Sequence, residues 1–235
     1  MGNIFSYDNP VMQILMKIGD LIILNFIFLI CCLPVFTIGA AQAGLFTAMK
    51  VMQDPEDDSS LYEAYFRGFK NGFLTVTLAW GGLMLGMIAV SFLAVGAYYY
   101  GLPGWLCLAP VLIFAWYVPQ IPAFHSRFGC TAKQLIRNIW FLIIAHPLRT
   151  LGHAILYWIP IGLILGNLYY FFSAMPIWVT LYFSSAAAFG YSFLKKPFNV
   201  LIKHFEKTHA EETEPAEAEE TAELPAAQEA ETEEV

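Results

Sequence analysis

Charge is scarce in this chain. Asp, Glu, Lys and Arg make up 13% of its 235 residues, about half the share usual for a soluble domain. Acid is scarcer still, since no Asp or Glu occurs from Ala64 to Phe205. Paired-carboxylate catalysis, carboxylate proton relays and acidic metal sites all need groups that this stretch lacks. The four cysteines have no zinc or redox spacing: Cys31 and Cys32 are adjacent, and Cys107 and Cys130 stand alone. Adjacent cysteines suit a disulfide poorly, so all four read as small apolar residues. There is no glycine-rich phosphate loop, no G-x-S-x-G, no H-E-x-x-H and no nucleic-acid module. These absences point away from an enzyme, a cofactor and a nucleic-acid partner.

Apolar residues fill the space, at 58% of the chain. Residues 71–126 carry no charge, and 56 residues in one helix would measure about 84 Å. The hydrocarbon core is about 30 Å thick, so this stretch must cross twice. Glycine and proline at Tyr100-Gly101-Leu102-Pro103-Gly104 place the break, giving spans over Phe73–Tyr99 and Trp105–Phe124. Residues 150–194 divide in the same way at Ser173-Ala174-Met175-Pro176, with spans over Leu151–Phe172 and Ile177–Leu194.

The uncharged stretch Leu21–Met49 is long for one crossing and short for two. Pro34 removes a backbone donor inside it, and small and polar residues follow. The expectation is a broken pair, one helix to Leu33 and a second from about Thr37 to Met52, forming a short hairpin or a re-entrant element. Ala41-Gln42-Ala43 has the small-x-small form of a signal cleavage site, but Asp8, Lys17 and Asp20 precede it in place of a positive start.

Lys and Arg alternate by connection: three from Lys50 to Lys70, none in the turn at 100–104, four from Arg127 to Arg149, none at 173–176 and four after Leu194. The positive-inside rule then makes the basic connections and the C-terminus cytoplasmic. Tyr98, Tyr99, Tyr100, Trp105, Tyr169, Tyr170 and Trp178 cluster at the opposite ends, where amphipathic rings favour the interface. A hairpin at the start gives six crossings, a single pass five.

Two basic connections open with a capping-box pattern, Ser60-Leu61-Tyr62-Glu63 and Thr131-Ala132-Lys133-Gln134. After the first, Leu61, Tyr65, Phe69 and Phe73 share a face with Tyr62 and Phe66, opposite Glu63, Arg67 and Lys70. After the second, Leu135, Ile136, Ile139, Trp140 and Ile143 oppose Lys133 and Arg137. Both read as interfacial helices whose cations face anionic headgroups.

Leu33-Pro34-Val35-Phe36-Thr37-Ile38-Gly39-Ala40-Ala41, after an apolar helix containing Asn25, and then Phe66-Arg67-Gly68-Phe69-Lys70-Asn71-Gly72-Phe73, resemble the YesL-like family of bacterial integral membrane proteins, a family of unassigned function. The resemblance runs from about Phe5 to Lys207. It implies a compact bundle of five or six helices, often encoded beside carbohydrate uptake transporters of the ATP-binding-cassette type, and it carries over no catalytic residue. Relatives often have proline where this chain has Ala40.

Asn25, Gln42, Gln120 and Asn167 are the uncharged polar groups expected within the apolar zone, bonding helix to helix. With Trp80, Trp116 and Trp158 they would also suit a path for a sugar-like solute. His146, Arg149 and His153, spaced three and four apart behind Pro147, form a basic stripe that would hold a phosphate or other anion, or snorkel to headgroups. Pro110, Pro119, Pro122 and Pro160 predict kinks.

Of the 19 acidic residues, 11 lie from Glu211 to Val235, where there is no Lys or Arg. Such a segment has little to bury and is expected to be disordered. The sequence therefore predicts an all-α, polytopic transmembrane bundle over 1–207, with two cytoplasmic interfacial segments, and an acidic tail over 208–235. The expected function is that of a non-enzymatic accessory or regulatory cell-membrane protein. By resemblance it would serve carbohydrate uptake, with the lipid bilayer and a sugar-transporter permease as partners. The alternative is a small-solute transporter or channel.

Overall fold

The computed structural model describes residues 10–54 and 59–202. The acidic tail lies outside the described residues. The chain divides between Leu194 and Lys195; of the second unit only residues 195–202 are described, and they are helical.

Every regular element among the described residues is helical. Six helical segments are long and apolar enough to cross a membrane: Val11–Cys31, Val35–Gln53, Leu61–Tyr99, Gly104–Phe128, Pro147–Gly166 and Met175–Ile202. The first stretch is thus the broken pair expected from Pro34. Helix α1 runs Pro10–Cys31, a 3-10 turn Val35–Thr37 follows, and α2 runs Ile38–Gln53. The Thr37 hydroxyl sits 2.6 Å from the Pro34 carbonyl, which already accepts from the Thr37 backbone N–H, and 2.5 Å from that of Cys31, so its one hydrogen is available to the Cys31 carbonyl at the break.

Helix α3, Leu61–Tyr99, has 39 residues and measures about 58 Å. The predicted interfacial segment and the following span are therefore one helix. Its first capping box does not form, because the Ser60 side chain makes no cap bond. The second does: the Thr131 backbone N–H and hydroxyl both donate to Gln134 Oε1, at 3.3 and 2.9 Å. Gly101, with φ +89°, supplies the left-handed turn after α3.

Proline divides the remaining spans further. Helix α4, Gly104–Tyr117, gives way at Val118-Pro119 to α5, Gln120–Phe128, which ends on left-handed Gly129. Helix α6, Ala132–Ala145, buries Leu135, Ile139 and Ile143 of its predicted apolar face, and Leu142 beside them, while Ile136 and Trp140 of that face are exposed. His146 breaks the chain and Pro147 starts α7, Pro147–Gly166. Asn167 then caps α8, Leu168–Ser173, so the predicted span Leu151–Phe172 is two helices. A short α9, Met175–Ile177, leads into a π segment, Trp178–Tyr182, and residues 183–202 are helical.

The densest packing joins α2 to α3, through small residues. Helix α2 buries Ala40, Ala41, Ala43, Gly44 and Ala48. Helix α3 faces it with Ala64, Gly68 and Gly72, while Phe66 and Phe73 of the predicted aromatic face are exposed. Hydrocarbon solvates a phenyl ring as well as a protein interior does, so helices in lipid gain most where backbones approach closely. A Cβ on Gly68 would stand 2.2 Å from Thr47 Oγ1, and one on Gly44 would stand 2.8 Å from the Tyr65 carbonyl oxygen. Helix α5 packs against both α2 and α3.

Candidate functional site

The interior polar groups form two hydrogen-bonded sets. In the first, Gln120 at the start of α5 is fully buried. Its amide Nε2 donates to the Thr150 carbonyl at 3.0 Å and more weakly to that of Trp116 at 3.4 Å. Its Oε1 lies 3.1 Å from His153 Nδ1. An amide oxygen only accepts, so Nδ1 carries the hydrogen in this pair. Trp116 Nε1 donates to Thr150 Oγ1 at 3.1 Å, and Trp158 Nε1 donates to the Ala115 carbonyl at 2.6 Å. Gln120 and the two indoles thus tie α4 and α5 to α7.

In the second set, Trp80 Nε1 donates to the Tyr157 hydroxyl at 3.1 Å, and Gln42 lines the same cavity as Tyr157. Gln42 Oε1 is buried and has no partner among the described residues. A cavity of about 60 Å³ lies here, lined by Gln42, His153 and Tyr157 together with Phe46, Leu156 and Tyr182. At roughly 10–15 Å³ per water it admits a few waters.

Asn25 is fully buried on α1. Its Nδ2 donates to the carbonyls of Trp178, at 3.0 Å, and Val179, at 2.7 Å, and its Oδ1 accepts from Ser184 N–H at 3.1 Å. A π segment displaces backbone groups from their helical partners, and this one amide meets three of them.

Asn25 and Gln120 thus bond helix to helix as expected; Gln42 lines the cavity with its Oε1 unpartnered, and among the described residues no bond between helices involves Asn167. It is exposed, and its Oδ1 accepts from the Tyr169 N–H two residues on, at 2.9 Å. Its place is a helix cap, since the chain leaves helical geometry there. The indoles of Trp80, Trp116 and Trp158 spend their N–H groups between helices.

The basic residues separate in the same way. Arg67, Lys70, Lys133 and Arg137 are exposed, as headgroup contacts must be, and Arg149 and His146 are half-buried. His153 does not belong to the stripe. It is buried, pairs with Gln120, meets Phe46 edge to face at 5.3 Å and packs so closely on Gly190 that a Cβ there would stand 2.6 Å from its ring. Helix α7 starts only at Pro147, so His146 lies outside it and the three residues share no continuous helical face. Asp20 accepts a hydrogen bond from the Tyr62 hydroxyl at 3.0 Å, which ties α1 to α3. Trp178 leaves the aromatic belt as well: it is buried and donates to the Phe171 carbonyl at 3.0 Å, while the named tyrosines and Trp105 are exposed.

Thr150 and Tyr157 escaped the sequence reading because each is a common residue whose partner is distant in the chain. No group of three His, Cys, Asp or Glu residues able to hold a metal occurs among the described residues. Among solvent-side groups, burial pushes the Cys130 thiol above its ordinary range, against a weaker downward pull from a backbone hydrogen bond.

No curated protein and no solved structure matches the chain. Residues 21–94, which take in the second half of α1, all of α2 and most of α3 with their small-residue seam, match a family described as "Protein of unknown function, DUF624".

Proposed function

We propose that this chain is a non-enzymatic accessory or regulatory protein of a bacterial cell membrane, serving carbohydrate uptake through contact with the permease of an ATP-binding-cassette sugar transporter. One observation carries the accessory part. The interior polar groups are largely spent on bonds between helices, and the cavity among them, at about 60 Å³, is far below the roughly 300–1,000 Å³ of small-molecule sites. The stretch from Ala64 to Phe205 also offers no carboxylate to couple transport to protons. The link to carbohydrate rests on the likeness of the Leu33–Ala41 and Phe66–Phe73 elements to YesL-like proteins. The alternation of basic connections favours a cytoplasmic C-terminus.

The rival reading, a small-solute transporter or channel, draws on Gln42 Oε1, which is unpartnered beside the cavity. Reconstituted protein separates the two. The proposal expects no sugar flux into liposomes, together with co-purification of a sugar permease from native membranes. Carrier-like flux that disappears in Gln42→Leu or Gln120→Leu would establish the rival.

A further inference from the structure

A cleft of about 370 Å³ opens where the end of α2, the second turn of α3 and the end of α5 meet. Three cations from three helices line it, Lys50, Arg67 and Arg127, with His125, Asn71 and Ser126 among them, and among the described residues no Asp or Glu is part of its wall. Two of the cations have a local use. Lys50 and Arg127 stand in the last turns of α2 and α5, where positive charge complements the helix dipole. Arg67 has no such role, because it lies nearly two turns inside α3. It reaches the cleft because its neighbour Gly68, and Gly72 one turn on, let α3 press onto α2. Like charges around one concavity raise each other's energy until an anion enters, and a low-dielectric wall strengthens the effect. A fringe of cations facing headgroups needs no such hollow, and Lys70, Lys133 and Arg137 are not part of this one. The donor set suits tetrahedral oxyanions: a guanidinium fork offers two parallel N–H groups, an ammonium a point charge, and Asn71 a neutral amide. The volume is in the range of small-molecule sites.

We propose that this cleft binds a phosphate group, supplied either by a soluble phosphate compound or by the headgroup of an anionic lipid. The inference is independent of the accessory reading and goes beyond it, since a protein that transports nothing still has this cleft. The full chain in phosphatidylcholine nanodiscs is titrated with inorganic phosphate at constant ionic strength, and the unfolding temperature is followed. A second arm replaces part of the phosphatidylcholine with phosphatidylglycerol. A saturable rise in the first arm identifies a soluble phosphate as the source, and a rise in the second arm alone identifies the headgroup. In either case Arg67→Gln and Lys50→Met should weaken the response about tenfold, the equivalent of roughly 1.4 kcal/mol for one charge-assisted contact, while Lys133→Gln, outside the cleft, leaves the response to inorganic phosphate unchanged. Arg67 is exposed, so its substitution spares the packing, and Lys50→Met repeats the test from a second helix. The connection after α2 carries Asp54, Glu56, Asp57 and Asp58. If these already neutralise the cleft, neither arm responds. That outcome, or an equal loss in Lys133→Gln, overturns the proposal.

Discussion

From Leu61 to Trp80, α3 buries Ala64, Tyr65, Gly68, Gly72, Val76, Ala79 and Trp80, whereas from Gly81 to Tyr99 it buries none of its residues. The second half is the more apolar and holds twice as many glycines, Gly81, Gly82, Gly86 and Gly96. Around three of these nothing stands within 4 Å of a would-be Cβ, and at Gly86 the nearest atom belongs to Phe114, at 3.4 Å. What separates the halves is the partner. The first meets α2, whose own buried surface is rich in Ala and Gly; the second has nothing comparable against it. In hydrocarbon, apolar character brings a helix into the bilayer but not onto a neighbour, and close backbone approach does the latter.

The sharpest way to break this comparison is an alanine series along the seam and beyond it. Gly68→Ala should be the most damaging, at about 2–3 kcal/mol or more, because Thr47 cannot retreat from a Cβ 2.2 Å away without moving α2. Gly82→Ala meets nothing within 4 Å and should be neutral, or stabilising by up to about 1 kcal/mol from higher helix propensity. Thermal unfolding in detergent gives both numbers, and equal effects would dissolve the distinction between the halves.

A smaller loss, about 1–2 kcal/mol, is expected for Gln120→Leu, which strands Trp116 and Thr150 carbonyls and the His153 ring between helices. If unfolding of that variant matches the parent chain, the interior hydrogen bonds carry no stability. The smallest effect concerns Cys130, just beyond α5, the helix that presses on the packed half of α3. Burial disfavours the charged thiolate, so its alkylation should be slower at pH 8 than that of a free cysteine and should still be accelerating above pH 9. A rate already half-maximal near pH 8.5 would show a thiol with its ordinary pKa.

Much of the architecture was legible because backbone hydrogen bonding in lipid leaves few choices: uncharged stretches of known length must be helices, and Gly-Pro clusters must end them. Pro34, Pro103 and Pro147 each mark a boundary where one was expected. The Asn167 break and the π segment at Trp178–Tyr182 were not legible, since neither leaves a mark in hydropathy. Periodicity identified a bulky face at the start of α3 without telling which rings lipid and which protein covers: Tyr65 is buried, Tyr62 bonds to Asp20, and Phe66 and Phe73 are exposed. Of the polar residues, Asn25 and Gln120 were recognisable by type, but their partners at Trp178 and His153 are far along the chain. Lys50, Arg67 and Arg127, spread over three helices, gave no sign of a common cleft.

The sequence by itself determined that this chain is built of membrane-length helices, where most of them break, and that carboxylate chemistry is missing from its later spans. Those properties follow from composition and from the fixed rise of a helix, which are local. Only the tertiary structure decided which faces meet, which cations share a hollow, and that His153 turns inward while Asn167 turns out. Lipid is indifferent among apolar faces, so close fit and hydrogen-bond partners distant in sequence select the arrangement.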